Sequence, residues 1–135
     1  MRFIEKALLT TLKDHAGLSA LVSDRIYNTV APQGVTFPCV LFQKMGGFHI
    51  ADNPKENMQV VYAVKGLSDV LSEAEDVDYE IKAALDRQTI DVNTDGMADY
   101  YVFRGMNLHF LEDVGAGVIA YHTGALYDIG VAAVQ

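Results

Sequence analysis

One amphipathic stripe does most to fix what this chain can fold into. Across residues 68–87, Leu71, Ala74, Val77, Ile81, Ala84 and Leu85 recur at helical spacing, with Glu73, Asp76, Glu80 and Asp86 turned away from them. The spacing predicts a helix with one apolar side that another layer must cover. Ser68, Asp69 or Ser72 is the expected N-cap, and Ser72 with Glu75 has the spacing of a capping box. Acidic residues crowd the early turns and Arg87 falls at the far end, both as the helix dipole prefers. A first helix is expected over residues 2–16, where Ile4, Ala7, Leu8, Leu12 and Ala16 share a side. Gly17 is its expected stop, and Ser19 the expected cap of a further short turn holding Leu21 and Val22.

Strand-like runs flank that stripe. Residues 25–30 are short and rich in β-formers, and 31–37 form a loop with Pro32 and Gly34. Pro38 suits the first position of a strand that runs to Lys44 and is expected to break at Gly46-Gly47. Residues 48–57 have the polar, proline-bearing character of an exposed connection. Residues 58–65 carry apolar side chains at both alternating positions, the mark of a strand covered on both sides. A short strand over 89–92 and a turn at Asn93-Thr94-Asp95-Gly96 follow. Residues 100–111 and 118–127, separated by a turn over 112–117 with Gly115 and Gly117, predict a long closing hairpin. The tail keeps Ile129, Val131 and Val134, and an apolar end should either extend the last strand or dock. The expected architecture is a single α+β domain over residues 1–135. It has a mainly antiparallel sheet of about four main strands, with two helices packed on one face.

Size and charge narrow the function. A chain of 135 residues supports one core, and half of its residues are hydrophobic, so some apolar surface is expected to face a partner subunit. The net charge of −8, with only ten scattered Lys and Arg, argues against phosphate binding, although an acidic wall would let DNA slide past without sticking. Cys39 is the one cysteine, which rules out an internal disulfide, and it is expected to be a small buried hydrophobe. No apolar run reaches the roughly 18 residues of a membrane span. Charges at Arg2, Glu5 and Lys6 stand where a signal peptide needs an apolar stretch, so a cytoplasmic site of synthesis is expected, with no membrane partner.

Sites of chemistry are hard to find. His15, His49, His109 and His122 show no metal-ligand spacing, although His109 and His122 could share the closing hairpin. Glu73, Glu75, Asp76, Asp78 and Glu80 have the pattern of a solvated helix face rather than an acid–base pair. Residues 93–96 lack the spaced oxygens and closing glutamate of a calcium loop. Gly46-Gly47 and Gly115/Gly117 make neither a dinucleotide fingerprint nor a P-loop, and no nucleophile elbow occurs. Tyr100, Tyr101, Phe103 and Phe110 lack the basic residues of a base-stacking sheet and are better read as core and interface aromatics. Neither a cofactor nor a catalytic or metal residue is expected.

One ordered set of motifs carries more information. Ala7-Leu8-Leu9 in the first helix is followed by Asp24-Arg25-Ile26-Tyr27, Ala31-Pro32-Gln33-Gly34 and Phe37-Pro38-Cys39-Val40. Glu73-Ala74-Glu75 leads into Ile81-Lys82-Ala83-Ala84-Leu85, and a hairpin closes the chain. This order resembles the tail-completion, or tail-terminator, family of long-tailed bacteriophages over nearly the whole chain; the stretch 68–78 is more acidic than that pattern. The resemblance implies a structural virion protein rather than an enzyme. It implies a hexameric ring that caps the tail tube, ends tube growth and offers a surface to a head-side connector or stopper protein, while DNA passes through without specific binding. Such a protein resides at the head–tail junction of the virion, and in the host cytoplasm during assembly. Another neck component, an adaptor or stopper, is the near alternative. A small soluble binding module, or a small enzyme using Glu75 or His109, is the more distant one. The expected contacts to neighbouring subunits or the tube are Phe48, His49, Ile50 and Asn53 in the 46–57 connection, and Ile129, Val131 and Val134 in the apolar tail.

Overall fold

The computed structural model describes residues 2–49, 58–91 and 99–131. Its elements run α1 (Arg2–Asp14), α2 (Ala16–Val22), β1 (Ile26–Asn28), β2 (Cys39–His49), β3 (Met58–Ser68), α3 (Leu71–Leu85), β4 (Gln88–Asp91), β5 (Asp99–Gly115) and β6 (Val118–Val131). The strands form one sheet in the order β1-β2-β3-β6-β5-β4. Only β1 and β2 pair in parallel; every other neighbour is antiparallel.

The expected α+β class and antiparallel character hold, but the counts change. Among the described residues the sheet has six strands, the four long ones β2, β3, β5 and β6 and the short edge pieces β1 and β4, which fall where short strands were expected. Among the described residues there are three helices rather than two. Gly17 does not stop a helix: it lies inside α2, close against the Glu80 carboxylate of α3. His15 bridges the same two helices, its Nε2 lying 3.0 Å from Glu80 Oε1. Gly46-Gly47 does not end β2 either. The strand absorbs the extra residue as a bulge between Lys44 and Gly46 and runs on to His49.

The helices cover one face of the sheet. Ile4, Leu8 and Leu12 of α1, with Val77, Ile81, Ala84 and Leu85 of α3, pack on Val40, Phe42, Tyr62, Val64, Tyr127 and Ile129. Fully burying one such large apolar side chain contributes about 1.5–3 kcal/mol, so this single layer supplies most of the drive to fold. Gly66 allows α3 to sit close, since a Cβ there would stand 2.7 Å from that of Val77. The capping box at Ser72 and Glu75 is not formed. The N-cap position is Val70, and Ser68 serves the helix from outside by accepting the Val70 N–H at 3.1 Å and donating to Glu73 at 2.7 Å.

The closing hairpin is longer than expected. Its turn contracts to Ala116-Gly117, flanked by Gly115, and the positive φ at all three makes the tight reversal possible. β5 and β6 pair from Tyr100↔Val131 to Gly115↔Val118, with a bulge between Arg104 and Asn107. Among the described residues no helix is long and apolar enough to cross a membrane.

Candidate functional site

Alternation along a strand sends every second side chain to the face that carries no helix. On β1, β2 and β3 that face is partly closed by the loop over residues 29–37. Val35 and Phe37 fold back with Tyr27 onto Cys39, Leu41 and Leu67 to make a small second core. Burial pushes the Cys39 thiol up to about 11, despite the opposing influence of Arg25, so it is an inert packing group.

Toward the hairpin the same face opens. A cleft of about 640 Å³ lies between the 29–37 loop and the start of β6, with Val30, Val35, Leu67, Val118 and Ala120 in its walls and His122 at its base. His122 is stacked rather than free. Phe110 lies on its ring with centroids 4.3 Å apart, and Lys65 Nζ stands 4.8 Å from the centre of the Phe110 ring. His122 Nε2 meets Glu112 Oε1 at 2.8 Å. Burial drives the His122 pKa below its ordinary value, with the Lys65 charge in the same sense and Glu112 opposing. Burial also lowers the Lys65 pKa, against the pull of Glu112.

Apolar side chains are exposed at both ends of β5, beside β4 and toward the hairpin turn. Tyr101 and Phe103 stack on each other at 5.7 Å and are each about half exposed. Met106 is 68 % exposed and Leu111 60 %, values far from those of core residues. Exposed apolar groups clustered along one hairpin mark a contact surface rather than a catalytic centre. Among the described residues no group of three or more His, Cys, Asp or Glu could hold a metal ion. His109 and His122 do sit on paired strands, but their partners are Thr123 and Phe110, which puts the two rings on opposite faces of the sheet.

The residues expected from sequence as contacts fall in different places. Phe48 and His49 are the last two residues of β2, opposite Gln59 and Met58. Ile50, Asn53 and Val134 lie outside the described residues. Val131 closes β6 opposite Tyr100. Ile129 is fully buried in the main core, because its place in β6 turns it toward the helices; its side chain is a packing group in the single subunit. Of the exposed apolar residues of β5, Tyr101, Phe103 and Phe110 are among those read from sequence as core and interface aromatics, whereas Met106 and Leu111 were not singled out. A signal was present: residues 100–111 are apolar at both alternating positions, as in a doubly covered strand, yet the chain has too few helices to cover both sides.

Comparison with known proteins agrees with a structural role. No curated protein sequence matches the chain significantly. Among solved structures, a chain described under "Virion of native gene transfer agent (GTA) particle" has the same fold. Its TM-score is 0.63 at 14 % sequence identity, over 95 % of this chain and 93 % of that one. The family described as "Tail completion protein gp17" matches residues 6–107, from the first helix into the closing hairpin. With most of its length matched and its exposed surface built for contact rather than chemistry, the chain belongs to the tail completion protein gp17 family of structural, non-enzymatic virion proteins.

Proposed function

We propose that this chain, as a single domain of residues 1–135, forms a hexameric ring that caps the tail tube, stops its growth and presents a docking surface to a head-side connector or stopper protein. The observation that carries the reading is the one-sided cover of the sheet. Helices close one face, while the open face of β5 exposes Tyr101, Phe103 and Phe110, and Met106 and Leu111 are exposed beside them on the same edge strand, apolar surface that a lone subunit has no use for. Head-to-tail contacts whose rotation closes give a ring of fixed size, and a ring with two unlike rims binds the tube on one side only. The solved relative's place in a virion supports the same setting, at the head–tail junction after assembly in the host cytoplasm. The net charge of −8 suits a channel through which DNA slides without specific binding. Phe48, His49, Ile50, Asn53, Val131 and Val134 join the hairpin as contacts to a neighbouring copy or to the tube.

Mixing the purified protein with tail tubes and with portal complexes tests this. A terminator decorates one end of each tube and leaves portals bare. Binding to portals with tube ends bare would replace this reading with that of an adaptor.

A further inference from the structure

The two outer edges of the sheet are stepped, and the steps match. On one edge β1 covers only the first part of β2, since Ile26 pairs with Val40 and Asn28 with Phe42. On the other edge β4 covers only the first part of β5, from Asp91↔Asp99 to Gln88↔Val102. Because β2 and β5 run in opposite directions, the short strands lie at opposite ends of the sheet. Among the described residues, nothing pairs with the outer side of β5 beyond Arg104, whose N–H is taken by Asp86 Oδ1 at 2.9 Å.

The ladder gives the heights of these edges. Following partners across the sheet, Ile26 stands level with Val40, Gly66, Thr123 and His109. Asn28 stands level with Phe42, Val64, Ala125 and Asn107. β1 therefore lies at the height of the uncovered part of β5. By the same route Gln88 is level with Val102, Ile129, Val60 and Gly47, so β4 lies at the height of the uncovered end of β2. A copy rotated about an axis along the strands, with no rise, sets each projecting strand into the other's gap. A rotation without rise is what a closed ring requires and a filament does not.

Polarity and chemistry agree with that placement. β1 and β5 would meet antiparallel, the more favourable pairing. The outward N–H of Arg104 and the register after the bulge put the backbone groups of Asn107, His109, Leu111 and Asp113 on the outer side of β5. The side chains of these residues share the helix-bearing face. There the opposite edge has a groove of about 260 Å³ between α1, β1 and β2, with Leu9, Ile26 and Phe42 in its walls and Glu5 and exposed Lys6 also lining it. A long uncovered edge strand with apolar side chains invites pairing, which in an isolated subunit is a liability.

We infer that neighbouring copies of this chain join by adding β1 of one copy to the outer edge of β5 in the next, so that the sheets run continuously around the ring. This rests on the ring proposed above. The test is a disulfide between copies, made by combining Asn28→Cys with Asn107→Cys in the full chain. Residues level on paired strands have Cα atoms about 4.5–5.5 Å apart, within disulfide reach, and the native Cys39 is buried and does not compete. Oxidation in the presence of tail tubes should give covalent oligomers up to the full ring, and neither single variant should give more than dimers. His109→Pro is the second arm. It removes an outward N–H, level with Ile26 of β1, that no strand among the described residues uses, so the melting temperature should be close to wild type while rings are lost; His109→Ala, which keeps the N–H, should still form rings. Rings that form without the Asn28→Cys/Asn107→Cys link, or as readily with folded His109→Pro, would overturn the edge pairing and leave the ring reading standing. Absence of any ring on tubes with the wild-type chain would overturn both. Should His109→Pro fail to fold, the disulfide result decides alone.

Discussion

Arg104 ties three parts of the chain together. Its guanidinium takes both carboxylate oxygens of Asp78 at 2.9 Å and donates to the Tyr127 hydroxyl at 2.7 Å, with 12 % of the side chain exposed. Burial by itself would lower its pKa, but the hydrogen bonds and charge of Asp78 more than restore it. Losing one partner of such a pair strands the other away from water. Asp78→Ala is therefore expected to cost about 3–5 kcal/mol in urea unfolding, and Arg104→Lys should recover little, because the two-pronged fork is gone. Glu112 and Lys65 are the charged groups beside His122, and the balance there is different. Burial holds its folded pKa below the ordinary 6.5. The unfolded chain therefore takes up a proton that the folded one resists, and the stability from neutral His122 falls as pH drops below that value. Denaturation midpoints should decline between about pH 7 and about pH 5, and His122→Gln should flatten that decline; an equal slope in the variant would remove His122 as its source.

At the level of elements, the close seat of α3 on β3 turns on a missing side chain. Gly66→Ala would drive a Cβ to 2.7 Å from Val77, with the backbone oxygen of Ala74 at 3.0 Å, so neither neighbour can yield easily. The expected loss is about 1–3 kcal/mol in thermal or urea unfolding, and a smaller companion change, Val77→Ala, should recover part of it in the double variant. The α3 stripe itself was legible in the sequence because Ala74, Val77, Ile81, Ala84 and Leu85 repeat at helical spacing over four turns, and all five are buried. The edge pieces were legible as short strands over 25–30 and 89–92, but β1 with three residues and β4 with four are too short for alternation to declare their bounds or their partners. Gly46-Gly47 misled for a related reason: glycine signals a local break, whereas pairing with Val60 and Val61 holds the strand through it. The contact surface was half legible. The aromatic run of β5 stood out as apolar, but only the topology shows that Tyr101, Phe103 and Phe110 lie on the face away from the helices, and that Leu111, on the helix-bearing face, is left uncovered. Ile129 carried the same apolar signal and went the other way, because register alone decides its face.

For the whole molecule, the account is mechanical. A sheet with one face packed, matching stepped edges and an apolar hairpin is the basis of the proposed ring. The family it belongs to is one of tail completion. The sharpest measurement is the length distribution of tails assembled with and without this protein, scored by electron microscopy. Growth past the normal length in its absence, restored to one length by adding the protein back, is the predicted result. Tubes of normal length in its absence, with heads merely unattached, would contradict it.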